Sequence, residues 1–393
     1  MRVGVDGTGW VNRRGHGRFT RNAVGRLVEL DGDATYVIYV DEQSAAQVEL
    51  PPRAERRAVA VTRAPSEAAA SDSRRGVADL VRMTLAVSRD RPDVFLFPSL
   101  YTYFPVVGVP TVVGVHDTIA EDFADLTLPT RRARLYWSAK RRLAMGRATR
   151  LFTVSEAARA ALVERFGLSA DRVAVVPEAP DAVFGPRGAA DVERALAPLG
   201  LRAGSFFVFA GGISPHKNLE TLLEGYAELH RMPNAPPPLV LAGDLEGDSY
   251  LSSAAQVQAR IAELGLGERV LLPGFVSDET LACLYAGATA VVLPSLAEGF
   301  GLPAVEAAAC GAALVLSDLP AHRETLDGAA IFVAPTDARA IGAALARVRD
   351  DSELRSSLGR RAREAVAVLS WDVAAERLRG LLEEAVSVRS RRG

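Results

Sequence analysis

Two glutamates eight residues apart, Glu298 and Glu306, flank the run Gly299-Phe300-Gly301-Leu302-Pro303. The pattern predicts a buried strand at 290–293, a tight glycine-bearing loop, and a helix with Pro303 in its first turn. Proline suits that place because its missing N–H would have no intrahelical partner. The amides of Phe300, Gly301 and Leu302 then point out of the helix N-terminus, where the macrodipole favours an anion. A diphosphate bound there has a carboxylate acceptor on either side, which suits the hydroxyls of a sugar nucleotide. The same residues also suit an ordinary strand-to-helix loop with two solvated or capping carboxylates.

Lys217 closes the stretch Gly211-Gly212-Ile213-Ser214-Pro215-His216, after a strand at 206–210 and just before a helix. A cation there can neutralise a diphosphate leaving group. Phosphoryl oxygens gain charge as a glycosidic bond breaks, so the contact strengthens towards the transition state. A surface lysine ahead of a helix is the plainer alternative. His116-Asp117 follow a strand at 111–115, and ligands of parallel sheets gather beyond the carboxyl ends of strands. The histidine can hydrogen-bond a sugar or an approaching acceptor, while Asp117 holds it or caps the next segment. Gly7, Gly9, Gly15 and Gly17 lie between the first strand and a helix expected from near Arg18. They do not form the dinucleotide fingerprint, which needs a third glycine and a shorter loop. Asp31-Gly32-Asp33 sits where turn residues are wanted for backbone reasons, so it is rejected as a metal site.

The elements that would position these residues alternate in two long series. Strands are expected at 2–6, 36–40, 94–98, 111–115, 151–154 and 173–176, then at 206–210, 239–242, 270–272, 290–293, 313–316 and 330–333. They are short and rich in β-branched residues, as buried parallel strands are. Asn218 can cap a helix whose Leu219, Leu222, Leu223, Tyr226 and His230 share one face. Ser277 can cap another. A chain of 393 residues exceeds the roughly 250–300 at which one core stops growing, so two domains are expected. A linker is expected within 180–199, and the proline-rich stretch 233–238 reads as a turn.

Hydrophobic residues at 49% and charged residues at 24% describe a globular chain with ample core. The N-terminus enters a strand directly, without a secretory pattern, and no apolar run reaches the ~18–20 residues needed to span a bilayer. Cys283 and Cys310 lie in apolar segments, so buried thiols in a reducing cytoplasm are expected rather than a disulfide. Two cysteines and five scattered histidines offer no metal cage. Residues 1–180 carry 26 Lys/Arg against 21 Asp/Glu, and the remainder 20 against 27. The excess concentrates between Arg131 and Arg150, with eight cations and no acid. Such a helix suits an anionic membrane surface or simply a solvated face. Nucleic acid is not expected, since no aromatic interleaving accompanies the charge.

Glu-Gly-Phe-Gly-Leu-Pro-x-x-Glu-Ala resembles the paired-glutamate signature of retaining GT-B glycosyltransferases, most closely glycosyltransferase family 4 (group 1). The resemblance extends through Gly15-His16-Gly17-Arg18, His116-Asp117, Thr153-Val154-Ser155-Glu156 and Phe275-Val276-Ser277-Asp278-Glu279. It implies that Glu298 lies by the transferred sugar, Glu306 binds the ribose, and Lys217 meets the diphosphate. It further implies that Gly15 and Gly17 face the donor phosphate, and that Val276 helps frame the base. Two departures stand out. Gly211 and Gly212 occupy a region where many members have an arginine, leaving helix amides or His216 to assist at the phosphate beside Gly212. Glu178-Ala179 replaces a frequent Asn-Gly.

The fold implied is α/β of the GT-B type: two Rossmann-like domains facing each other across a cleft. Residues 1–185 would form the acceptor domain, 186–369 the nucleotide-sugar domain, and 370–393 a helix crossing back to the first. The activity implied is metal-independent hexosyl transfer, with retention, from a nucleoside-diphosphate sugar to a glycan, glycolipid or small-molecule hydroxyl. Glu298 and His116 would be the catalytic pair, and no cofactor is implied. GDP-mannose is the first donor expected, from likeness to mannosyl- and rhamnosyl-type enzymes. A cytoplasmic protein is expected, peripheral on the inner membrane face if the basic segment binds lipid. A sugar-nucleotide epimerase of the same fold is the rival, although it needs additional acid/base carboxylates. A non-catalytic sugar-nucleotide-binding subunit is disfavoured by the full set Glu298, Glu306, Lys217 and His116.

Overall fold

A computed structural model describes residues 1–12, 15–62, 76–128, 130–232, 234, 236–243 and 253–390. Two compact units divide the chain: Met1–Glu178 with Ser370–Gly393, and Ala179–Leu369.

The first unit is built on seven strands, β1 (Arg2–Asp6), β2 (Thr35–Asp41), β3 (Glu55–Val59), β4 (Val94–Phe97), β5 (Thr111–Gly114), β6 (Arg150–Thr153) and β7 (Val173–Val175). They pair in parallel in the order β3-β2-β1-β4-β5-β6-β7. Central strands carry fully buried Val3, Val5, Phe95, Phe97, Val112 and Val113, because helices cover both faces of a parallel sheet. The edge strand β3 was not expected. Its sequence Glu-Arg-Arg-Ala-Val has four exposed residues out of five, so it lacks the hydrophobic signature of its neighbours. The long helix Trp371–Ser390 belongs to this unit. It buries Ala374, Ala375, Leu378, Leu382 and Ala385 along one stripe. Asp372 Oδ1 accepts from Arg26 Nε at 2.5 Å, and Glu384 Oε2 from Arg150 Nε at 3.0 Å.

The second unit contains β8 (Phe207–Ala210), β9 (Leu239–Ala242), β10 (Val270–Gly274), β11 (Ala290–Leu293), β12 (Leu314–Ser317) and β13 (Ile331–Val333). All pair in parallel, in the order β10-β9-β8-β11-β12-β13. Strand order reverses direction between β8 and β11, so the loops after these two strands open beside each other at a switch point. Part of the stretch expected as a linker is helix Ala189–Leu196, which buries Val192 and Leu196. Proline and glycine flank it closely, and that punctuation had hidden its apolar face. The expected turn at 233–238 includes residues 233 and 235, which lie outside the described residues.

Candidate active site

In the second unit, β8 feeds residues 211–214, the single 3₁₀ turn Pro215–Lys217, and helix Leu219–His230. Asn218 occupies the capping position but does not cap. It adopts the left-handed conformation at φ 58°, and its side chain makes no capping bond. Instead Nδ2 donates to Pro294 O at 3.0 Å and Pro335 O at 2.6 Å, while Oδ1 accepts from Thr221. Leu296 N also donates to His216 O at 2.8 Å. The Pro294 and Leu296 bonds tie the Lys217 turn to the loop after β11, and the Pro335 bond ties it to the segment after β13.

That tie brings two expected site residues into direct contact. Lys217 Nζ lies 2.7 Å from Glu298 Oε1, and both side chains are nearly buried, at 14% and 11% exposure. Ser295 Oγ donates to the same carboxylate oxygen at 2.7 Å. Burial pushes the Glu298 carboxyl up, but Lys217, the nearby His322 and the Ser295 hydroxyl outweigh it and hold it at about 2. Glu298 is therefore ionised throughout the physiological range.

After Glu298 the chain turns through Gly301, at φ 89°, into helix Leu302–Ala309 with Pro303 in its first turn. A Cβ at Gly301 would lie 2.8 Å from the His322 ring, so both the dihedral and the space demand glycine there. Pro303 has no N–H, Ala304 N and Val305 N donate to Gly301 O at 2.8 and 3.3 Å, and the helix dipole adds positive potential at this end. Phe300 and Gly301 precede this helix and Leu302 opens it. Glu306 lies in the second turn and is only 3% exposed. Gly212 is exposed beside the Lys217 turn. Val276 is half-buried after β10, next to exposed Phe275, and Ser277 Oγ accepts from Thr280 N to cap helix Asp278–Gly287.

His322 escaped the sequence reading. It sits in helix Pro320–Leu326, just beyond β12, 1% exposed. Nδ1–H donates to Ser317 O at 2.9 Å, while Nε2 is buried without a hydrogen-bond partner. Burial, the largest influence, lowers its pKa, as does Lys217, while Glu298 and the Ser317 bond oppose them. Its position near a strand's carboxyl end was the available signal, the same one that singled out His116.

In the first unit His116 follows β5, and its Nε2–H donates to Pro98 O at 2.8 Å. The tautomer this requires leaves Nδ1 as an acceptor. Burial lowers its pKa to about 4 against the opposing Pro98 bond. Phe19 meets the ring edge-on at 4.9 Å. Asp117 Oδ1 accepts from Ile119 N, so it caps the next segment. The expected helix begins at Gly15, earlier than Arg18, and passes through the π-helical turn Thr20–Val24. A Cβ on Gly17 would fall 2.0 Å from Asn12 O, so Gly17 has a packing role; Gly15 has open space around it.

The basic segment is less free than its composition suggests. Within helix Arg131–Arg147, Arg134 pairs with Asp125 at 2.6 Å and Arg141 with Glu121 at 2.9 Å. Lys140 donates to Tyr101 O at 2.5 Å, and beyond the helix Arg150 holds Glu384. Arg131, Arg132, Arg142 and Arg147 are exposed, with Leu135 73% exposed among them. Among the described residues no helix is long and apolar enough to cross a membrane, and no group of three or more His, Cys, Asp or Glu could hold a metal ion. Asp31 accepts from Tyr36 Oη and Asp33 N, a turn role.

Residues 13–182 match the profile of Glycosyltransferase Family 4, and residues 199–365 that of Glycosyl transferases group 1. The O-antigen chain mannosyltransferase B of Escherichia coli is 30% identical over 223 residues, covering 56% of this chain and 57% of that protein. The chain spans about half the length of the curated relatives it matches. A sucrose-phosphate synthase from Thermosynechococcus elongatus has a TM-score of 0.78 at 19% identity, over 99% of this chain and 100% of that one. HepE of Anabaena, in complex with UDP and glucose, has a TM-score of 0.75 at 17% identity, over 97% and 99%. With profiles matching both halves and two Rossmann-like sheets like those of its structural neighbours, the chain belongs to the group 1 GT-B glycosyltransferases.

Proposed function

We propose that this protein transfers a hexosyl group from a nucleoside-diphosphate sugar to an acceptor hydroxyl with retention of configuration. The observation that carries the reading is the Lys217–Glu298–Ser295 cluster at the N-terminus of a helix that holds Glu306. In this mechanism the diphosphate draws Lys217 away from Glu298 and rests against the amides of Phe300, Gly301 and Leu302. Glu306 accepts the ribose hydroxyls. The bond from the anomeric carbon to the phosphate oxygen breaks, and its electron pair leaves with the diphosphate. The acceptor oxygen bonds on the same face, and its proton passes to the departing phosphate oxygen. Glu298, ionised, orients the sugar hydroxyls and supports positive charge at the anomeric carbon. His116 offers Nδ1 as an acceptor to the sugar or the acceptor hydroxyl.

Gly15, Gly17 and Gly212 would border the phosphates and Val276 the base. In domain terms, residues 1–185 would serve the acceptor and 186–369 the donor, with 370–393 returning to the first. Mannose is the favoured sugar because the matched Escherichia coli relative is a mannosyltransferase. GDP-mannose and UDP-glucose are therefore the first donors to compare, the second because HepE was solved with UDP and glucose. A thermal-shift screen tests the donor reading. A ligand at 100 times its dissociation constant stabilises by about 2.7 kcal/mol, and no shift with any nucleotide sugar would remove it. Product analysis without acceptor separates transfer from epimerisation, since only an epimerase converts the sugar alone.

A location at an anionic membrane face is a second part of the reading. Arg131, Arg132, Arg142 and Arg147 are exposed on one helix with Leu135, a combination suited to interfacial binding. The acceptor would then be a glycolipid or a membrane-associated glycan at the cytoplasmic face.

A further inference from the structure

His322 lies near Glu298, and the mechanism above leaves it without a task. Its Nδ1–H is fixed on Ser317 O at 2.9 Å. Its Cδ2 and Nε2 lie 2.8 and 3.1 Å from where a Cβ on Gly301 would stand. The ring is thus the floor under the turn that carries Glu298 into helix Leu302–Ala309. Nε2 is buried and has no hydrogen-bond partner, a state that costs stability. A leucine would fill similar space without that cost, so the nitrogen calls for another explanation.

We propose that His322 is a positioning residue: it supports the Gly301 turn and takes a proton on Nε2 to balance Glu298 when a donor diphosphate engages Lys217. This rests on the donor-site reading above. In the ligand-free protein, Lys217 neutralises Glu298 at 2.7 Å and the ring stays neutral. Once the ammonium turns to a diphosphate, Glu298 is left as a buried, unbalanced carboxylate. Both changes favour an imidazolium: a cation moves away and an anion loses its partner. The proton comes from solvent and remains on the ring while the nucleotide is bound.

Other charges around this helix do not perform the task. Helix Leu302–Ala309, packed against it, carries only Glu306, assigned to the ribose. On the other packed helix, Ser352–Val366, Glu353, Arg360, Arg361, Arg363 and Glu364 are exposed. Its Arg355 donates to Val348 O and Arg349 O. On the histidine's own helix, Arg323 pairs with Asp318 and Asp327 at 2.7 Å each, and Glu324 is exposed.

Calorimetric titration with UDP and GDP, each in two buffers of different ionisation enthalpy at one pH near 7, measures protons bound per nucleotide. The nucleotide's own proton exchange is common to wild type and variant, so their difference reports the ring. Wild type is expected to take up more protons than His322→Leu, by up to one per site. The Leu variant should fold, because Ser317 O keeps a second donor, Leu319 N at 2.8 Å. If it does not, His322→Asn, which can keep the donor to Ser317 O but has no basic nitrogen, is read in its place. Equal uptake in wild type and variant overturns the role of His322 while leaving the donor reading intact. Failure of both nucleotides to bind wild type overturns the donor reading, and this inference with it.

Discussion

Lys217 and Glu298 form a nearly buried ion pair at 2.7 Å, although 81 residues separate them in the chain. Each is the other's ion-pair partner, so substituting one alone leaves the other's nearly buried charge unbalanced. Breaking such a pair from one side costs roughly 3–5 kcal/mol, whereas replacing both sides is often nearly neutral. Lys217→Met should therefore lower the melting temperature markedly, and Glu298→Gln in the same chain should restore most of the loss. Thermal melts of the two single variants and the double variant check this. Additive losses would mean that the pair is not energetically coupled.

The same pair gives an acid limb to stability. Glu298 is held at about 2 against an ordinary 4.5, so the folded state binds its proton less readily than the unfolded chain. Its contribution, about 3 kcal/mol at 1.36 kcal/mol per pKa unit, is full above pH 4.5 and is lost as pH falls towards 2. Urea titrations between pH 3 and 7 should show wild type losing more stability than the Lys217→Met, Glu298→Gln double variant over the lower part of that range.

The two glutamates should separate by assay. Glu306→Ala is expected to weaken UDP or GDP binding itself, because ribose contacts exist before and during reaction. Glu298→Gln should depress turnover by tenfold or more while nucleotide binding is kept or tightened, since Lys217 no longer has a carboxylate to leave. Calorimetry and initial rates distinguish these outcomes. Unchanged nucleotide affinity in Glu306→Ala would end the ribose assignment.

His116 should contribute no ionisation to the rate profile between pH 5 and 8, since its pKa is lowered to about 4 by burial. The unfolded chain takes up its proton near 6.5, so this histidine removes stability as pH falls from 6.5 towards 4 and has no effect above. Ring-proton NMR measures the pKa directly. A value near 6.5 would contradict the neutral, Pro98-bonded tautomer.

Transfer should persist in excess chelator, because in the proposed site Lys217 and the N-terminus of helix Leu302–Ala309 supply the positive potential a diphosphate needs. Loss of activity with EDTA, restored by magnesium or manganese, would show that a divalent ion shares that work.

Vesicle binding should depend on the exposed cations of helix Arg131–Arg147 and not on the engaged ones. Each cation near an anionic surface contributes about 1 kcal/mol. Arg131→Glu with Arg132→Glu should thus abolish cosedimentation with anionic vesicles at low salt, while wild type binds and releases as salt rises. Equal, negligible binding of both proteins to anionic and neutral vesicles would return the segment to a solvated helix.

Local pattern carried much of this protein. Alternation of short β-branched runs with amphipathic helices specified two parallel α/β units, because a buried parallel strand and a covering helix each have a distinct hydrophobic period. Glycine and proline between Glu298 and Glu306 specified a tight turn and a helix start, since those residue types act through their own backbone geometry. Strand β3 was illegible because an edge strand pairs through its backbone and need not bury side chains. Only the tertiary structure decided which side chains meet. Strand order placed the β8 and β11 loops side by side, and so put Lys217 on Glu298; Asn218, read as a cap, became the cross-link between those loops. The same packing set His322 beneath Gly301 and engaged four of the eight cations at 131–150 with groups elsewhere in the chain. Charge and residue type are properties of a position in the chain, but an ion pair or a buried, partnerless nitrogen depends on what the rest of the fold brings to that position.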